Sequence, residues 1–135
     1  TPVAVFEGKI AASNMLKDKR TEPDYTGVPS VVFTIPELAR VGLVEAEARE
    51  KGEVDISFTN TSGWFSQKRI GETHAGAKII TGKDGKILGA HMFGPEYAEL
   101  INVFSLAIKL RLTAAQVKSM PAAYPTGASD IGSMF

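Results

Sequence analysis

Residues 75–110 read AGAKIITGKDGKILGAHMFGPEYAELINVFSLAIKL, and this stretch decides the fold. Two apolar runs flank Gly82, Lys83, Asp84 and Gly85, a short glycine-containing turn between segments rich in Ile and small residues. That pattern marks a β-hairpin, so the two runs are expected to be antiparallel neighbours. Side chains alternate across a strand, which puts Ala77 and Ile79 on one face of the first run. In the second, Leu88, Ala90 and Met92 share one face and Ile87, His91 and Phe93 the other. Apolar residues on both faces make it a central strand covered from both sides. Gly94 stops the strand and Pro95 opens a helix, because the first helical turn has no use for the N–H that proline lacks. Tyr97, Leu100, Ile101, Phe104, Ala107 and Ile108 then recur at helical spacing as one apolar face, with Glu96, Glu99, Asn102 and Lys109 mostly off it. Such a helix needs a sheet to lie on. The expected fold class is therefore α+β, a largely antiparallel sheet with helices packed on it.

Upstream, residues 54–59 alternate Val54, Ile56 and Phe58 against Asp55, Ser57 and Thr59, a half-buried strand of period two. Residues 44–51 suit a short helix ended by Gly52, although Val44 is a poor cap. Residues 37–42 are expected to be a turn or bulge, and residues 31–35 a strand stopped by Pro36. The polar excursion 61–73 contains Trp64 and Phe65, a surface anchor or, as is more common for such aromatics, a pair packed on the sheet edge. Downstream, Thr113 and Gln116 form a capping box for a helix from Ala114 to about Met120, ended by Pro121. An aromatic residue directly before proline, Tyr124 before Pro125, predicts a cis peptide in a fixed turn.

At the other end, Thr1 would cap and Pro2 open a helix running to about Leu16. Val3, Phe6 and Ile10 make one stripe, while Ala4, Val5, Ala11 and Met15 leave most of the remaining surface apolar as well. That suits a helix buried in something larger than this chain. Residues 17–30, KDKRTEPDYTGVPS, carry charge, Pro and Gly without periodicity and read as a linker.

Composition bounds the function. With 135 residues, 44% of them hydrophobic, the chain supports one ordinary core. Fifteen acidic and fifteen basic residues balance without long runs of one sign, which leaves no footprint for nucleic acid or an anionic membrane. No apolar run approaches the roughly 20 residues of a membrane span and no signal peptide opens the chain, so a soluble protein is expected. The absence of cysteine excludes a disulfide framework, a cysteine metal site and thiol chemistry carried by this chain alone. His74 and His91 lack the spacing of metal ligands and are read as structural; no metal site is expected.

Four stretches in order carry a resemblance: Thr1, Pro2, Val3 and Ala4 with Glu7 and Gly8; VPSVVFTIPELARVGL at 28–43; KILGAHMFGPEYAELIN at 86–102; and Tyr124, Pro125 and Thr126. Together they resemble the C-terminal part of the class I pyridine nucleotide-disulfide oxidoreductases, the family of dihydrolipoamide dehydrogenase, glutathione reductase and mercuric reductase. The resemblance implies that residues 1–16 are the last helix of an FAD-binding domain, with Thr1, Pro2 and Ala4 facing the flavin. Residues 17–27 would be a linker and residues 28–135 the interface domain through which two subunits form a homodimer. FAD and NAD(P) would belong to the full-length enzyme, with none expected in this fragment. The redox cysteines and glycine-rich fingerprints would lie in upstream domains.

Family members usually end in His-Pro-Thr followed by Ser-Glu, the histidine reaching across the dimer as general acid/base and the glutamate orienting it. Here Tyr124 stands at the histidine position, and Gly127, Ala128, Ser129 and Asp130 follow Thr126, with one extra residue before the serine and an aspartate in place of the glutamate. A phenol with an ordinary pKa near ~10 is a poor proton acceptor at neutral pH, where imidazole titrates. Tyr124 can still donate a hydrogen bond to a thiolate, substrate or flavin-proximal group, with Asp130 orienting the turn. Alternatively it only packs at the dimer seam. The expected function is the dimerisation part of a cytoplasmic FAD- and NAD(P)-dependent oxidoreductase acting on a disulfide or small molecule. A free-standing α+β assembly module is the rival, since fold alone does not fix function.

Overall fold

A computed structural model describes residues 1–135. Five strands, β1 (Ser30–Val32), β2 (Leu38–Gly42), β3 (Val54–Asn60), β4 (Gly76–Gly82) and β5 (Ile87–Phe93), form one antiparallel sheet in the order β1-β2-β5-β4-β3. The hairpin is thus present and β5 is the central strand. The helices are α1 (Pro2–Asn14), α2 (Glu45–Lys51), α3 (Phe65–Lys68), α4 (Tyr97–Lys109), α5 (Ala114–Lys118) and α6 (Gly127–Asp130), followed by a 3-10 turn at Ile131–Ser133.

One core lies between α4 and the inner face of the sheet. The buried residues of α4 are Tyr97, Leu100, Ile101, Phe104, Ala107 and Ile108, the face read from the spacing. They meet Ala39 and Val41 of β2, Ala77 and Ile79 of β4, and Ile87, Ala90 and Met92 of β5, with Val117, Ile131 and Met134 closing the far side. Glu37 fixes the start of α4, its carboxylate accepting from the Ala98 amide at 2.8 Å where the first helical turn has free donors. The helix begins at Tyr97, two residues after Pro95, because Glu96 turns through the left-handed region at φ 64°. The capping box of α5 forms as read, the Thr113 hydroxyl accepting from the Gln116 amide at 3.2 Å.

Four expectations need correction. Residues 38–42 are a strand, not a turn or bulge, with Ala39 and Val41 inward. The strand expected at 31–35 ends at Val32, and Phe33 stands 81% exposed beyond it. A bulge at Leu88 shifts the β4–β5 register, so Ile87 joins Ala90 and Met92 in the core rather than sharing a face with His91 and Phe93. Across that bulge Leu43 runs over β5, and a Cβ on Gly89 would meet the Leu43 carbonyl at 2.2 Å. The fourth concerns β5, expected to be covered on both sides: its outer face is open, with Phe93 38% exposed. On β3, Asp55, Ser57 and Thr59 share the face of Thr81, Ile79 and Ala77, and Phe58 stands 71% exposed on the other face.

Helix α1 stands apart, with no buried residue. Residues 17–27 contain neither helix nor strand, yet they are pinned. Tyr25 donates to Glu7 at 2.7 Å, Lys109 pairs with Asp24 at 2.6 Å, and the Ser105 hydroxyl donates to the Gly27 carbonyl. The lysine holds the Asp24 carboxyl well below its usual range.

Phe104 sits at the centre of the core with no exposed surface. Phe104→Ala is expected to lower stability by about 3–5 kcal/mol, measured by urea denaturation.

Candidate functional site

The tail is held by a small helix. Thr126 caps α6, its hydroxyl accepting from the Ser129 amide at 3.3 Å and donating to the Ala123 carbonyl at 2.6 Å. The Tyr124–Pro125 bond is cis, as read from the sequence. Tyr124 is 75% exposed, its ring stacked on Phe65 at 6.4 Å between centroids. Asp130 accepts a 2.5 Å hydrogen bond from the Ser66 hydroxyl. Phe65 and Ser66 are consecutive in α3, so one turn of helix touches both tail residues singled out in the sequence.

Below α3 lies a polar cluster. Thr61, fully buried, shares a 2.7 Å hydrogen bond with the Tyr97 hydroxyl, and Trp64 packs against the core. Gln67 is 3% exposed, and its Oε1 has no hydrogen-bond partner. Burial pushes the Tyr97 phenol above its ordinary pKa; the Thr61 bond opposes the rise and the Asp130 charge adds to it.

The other sequence-derived site residues lie on α1. Thr1, Pro2 and Ala4 are exposed, and the Thr1 side chain makes no cap hydrogen bond. Pro2 and Val3 border a groove with Asn102, Ser105, Leu106 and Lys109 of α4, whereas the tail meets α4 near Leu100. The two groups of residues therefore flank different parts of one helix and do not form a single site in this chain.

The outer face of the sheet is the third feature. α2 covers one end, with Ala48 and Ile80 buried there. Elsewhere Leu38 and Phe93 pair across β2 and β5 as partly exposed neighbours. With Phe58, His74, Lys78 and His91 they line an open groove of about 390 Å³. His91 meets the Leu43 carbonyl at 3.0 Å, and no cluster of His, Cys, Asp or Glu is arranged to hold a metal ion. No helix is long and apolar enough to cross a membrane.

The sequence model described as pyridine nucleotide-disulphide oxidoreductase, dimerisation domain, matches residues 28–135. This chain belongs to that family. A 19.7 kDa protein of a mercuric resistance operon in Staphylococcus aureus is 41% identical over 99% of the chain, which spans 76% of that protein. Glutathione reductase of Pisum sativum is 32% identical over 99% of the chain, and dihydrolipoyl dehydrogenase of Bacillus subtilis 39% over 91%. The chain spans only 25% and 26% of those two enzymes. Among solved structures, LpdA of Mycobacterium tuberculosis superposes with TM-score 0.85 at 24% identity, over 98% of this chain and 29% of that one. The flavoprotein disulfide reductase RclA of Escherichia coli follows at 0.83 and 22%, over 93% and 30%. These likenesses carry the dimerisation-domain fold across almost the whole length.

Reading the sequence missed Glu37, Thr61, Ser66 and Gln67. The carboxylate of Glu37 lies 61 residues from the amide it caps, and Thr61 lies 36 residues from Tyr97, so no local spacing announces either contact. The period-two placement of Ala39 and Val41 was the available signal for β2, obscured by Arg40 and the proline just before it.

Tyr97 makes stability fall in alkali. Above about pH 10 the unfolded chain sheds this proton while the folded chain keeps it, so folded protein binds more protons and loses stability as pH rises. Tyr97→Phe is expected to flatten that alkaline limb, while costing about 1–2 kcal/mol at pH 7 through the lost Thr61 bond. Urea midpoints between pH 7 and 11 measure both effects; a variant with an unchanged limb would refute the assignment.

Proposed function

We propose that this chain is the dimerisation part of a cytoplasmic FAD- and NAD(P)-dependent oxidoreductase, with residues 1–16 belonging to its FAD-binding domain and residues 17–27 linking the two. The observation that carries the reading is an apolar outer sheet face left bare in a chain that matches a dimerisation domain. A second copy of the chain is its partner, related by a two-fold axis that lets one patch cover itself. Neither nucleic acid nor membrane is a partner in this reading.

The start of α1 suits a flavin contact. Pro2 has no N–H to lose, and Val3 and Ala4 present first-turn amides with no side-chain cap, the donors that a flavin carbonyl oxygen accepts from. The chemistry a bound FAD would supply in the whole enzyme is electron transfer between the nicotinamide and a disulfide or another small-molecule acceptor. This chain's own contribution is to join the subunits and to extend Tyr124, oriented through Asp130, into the partner's site. There the phenol donates a hydrogen bond and does not act as the base.

A second reading, a free-standing assembly module, is favoured by the short Staphylococcus aureus relative, of which this chain spans 76%. The native protein, isolated by antibody from its own cells, separates the two. A longer polypeptide with flavin absorbance supports the enzyme; a 14.4 kDa chain without flavin supports the module.

Sedimentation tests the pairing surface. The chain is expected to dimerise, and Phe93→Glu or Phe58→Glu to weaken dimerisation at least about 30-fold by burying a charge at the seam. A chain that stays monomeric at high concentration removes this surface as the interface. In the whole enzyme, Tyr124→Phe should lower turnover about tenfold through the lost hydrogen bond. Unchanged turnover takes the hydroxyl out of the reaction.

A further inference from the structure

The tail contacts α3 twice and from adjacent residues. Ser66 donates to Asp130 and Phe65 stacks on Tyr124, six residues earlier in the tail. Nothing else in α3 reaches outward in this way. Gln67, on the same turn, points into the protein and is 3% exposed, while Trp64 before it packs on the core. The base is stiff on both sides: the Thr61 amide donates to the Ala75 carbonyl at 3.0 Å, and its hydroxyl joins Tyr97 of α4 at 2.7 Å. A four-residue helix has no stability of its own. Its position comes from these anchors, so whatever α3 holds is referred to the core of the sheet.

We propose that α3 is a clamp for the C-terminal tail, with Ser66 and Phe65 as positioning residues that set where Tyr124 projects. Neither residue touches a reacting group; each acts through a tail residue. The two contacts divide the work. The Ser66 hydroxyl fixes the closing turn by a charge-assisted hydrogen bond, which is directional. The Phe65 ring limits the swing of an otherwise exposed phenol by offset stacking, which is not. A side chain that must enter a neighbouring site gains from being ordered beforehand, since ordering it on arrival costs rotamer freedom. The clamp supplies that order before any partner is present. This inference rests on the reading of Tyr124 as a residue offered to the partner's site.

Hydrogen exchange and NMR of the full chain test it. In Ser66→Ala, the amides of residues 124–130 are expected to exchange about tenfold faster while those of β4, β5 and α4 keep their protection. Ser66→Thr, which retains the hydroxyl, should restore the slow rates. In Phe65→Leu the ring protons of Tyr124 should move toward their free-peptide shifts. A general loss of structure would instead raise exchange everywhere and would not be rescued by threonine. Unchanged exchange at 124–130 in Ser66→Ala, or unchanged Tyr124 shifts in Phe65→Leu, overturns the clamp. Sedimentation of the same samples keeps the two readings apart. A tail released by Ser66→Ala in a chain that never dimerises upholds the clamp while the proposed function falls. An unaltered tail in a chain that does dimerise removes the clamp and leaves that function standing.

Discussion

The burial of Phe104, Ile101 and Ala107 of α4 against the inner face of β2 and β5 is the contact on which the remaining structure depends. A lone hairpin is marginal in water, and a helix of this length is marginal by itself. Each becomes stable by covering the other's apolar face. Once α4 is seated, its ends dictate what surrounds it. Glu37 reaches its first turn from the β1–β2 connection, and Tyr97 inside that turn anchors Thr61, from which α3 departs. The tail returns beside Leu100, and Ile131 and Met134 plug the remaining opening. The seating of one helix thus reaches the exposed ring of Tyr124 through a continuous series of packed and hydrogen-bonded groups.

Legibility in the sequence followed the range of the interactions. The face of α4, the hairpin, the capping box at Thr113 and the helix ended by Gly52 are set by residues three or four apart, and all could be read. The strand at 54–59 shows where such reading stops. Its alternation was visible, but which side faces the core is decided by α4 and α2, far away in sequence. The apolar side lies outward, half covered by α2 and otherwise bare. The bulge at Leu88 inverted Ile87 for a related reason: Leu43 crosses β5 there, and only the glycines at 42 and 89 leave room for its backbone. The site residues divide in the same manner. Tyr124 and Asp130 could be singled out by resemblance, whereas Ser66 and Phe65, which hold them, sit some sixty residues away without a motif.

Polar groups in this protein concentrate where elements must be placed and not where stability is won. Its ion pairs are exposed, such as Lys83 with Asp55 and Lys86 with Asp84, and pairs of that kind contribute little. The buried exceptions are Thr61, Tyr97 and Gln67, gathered under α3. Buried polar groups cost free energy unless satisfied, so a cluster of them fixes one arrangement in preference to its neighbours.

The two rims of the sheet have a consequence for how copies can meet. At one rim β1 is only three residues long, with Pro29 before it and Pro36 after it. At the other, β3 carries Asp55, whose exposed carboxylate pairs with Lys83 at 2.9 Å. Short edges, proline and charge on an edge strand all discourage a foreign strand from extending a sheet. Growth by strand addition has no natural end and leads to fibres, whereas contact through a face related by a two-fold closes after one partner. By blunting its rims while leaving its outer face bare, the domain is shaped for association that stops at two.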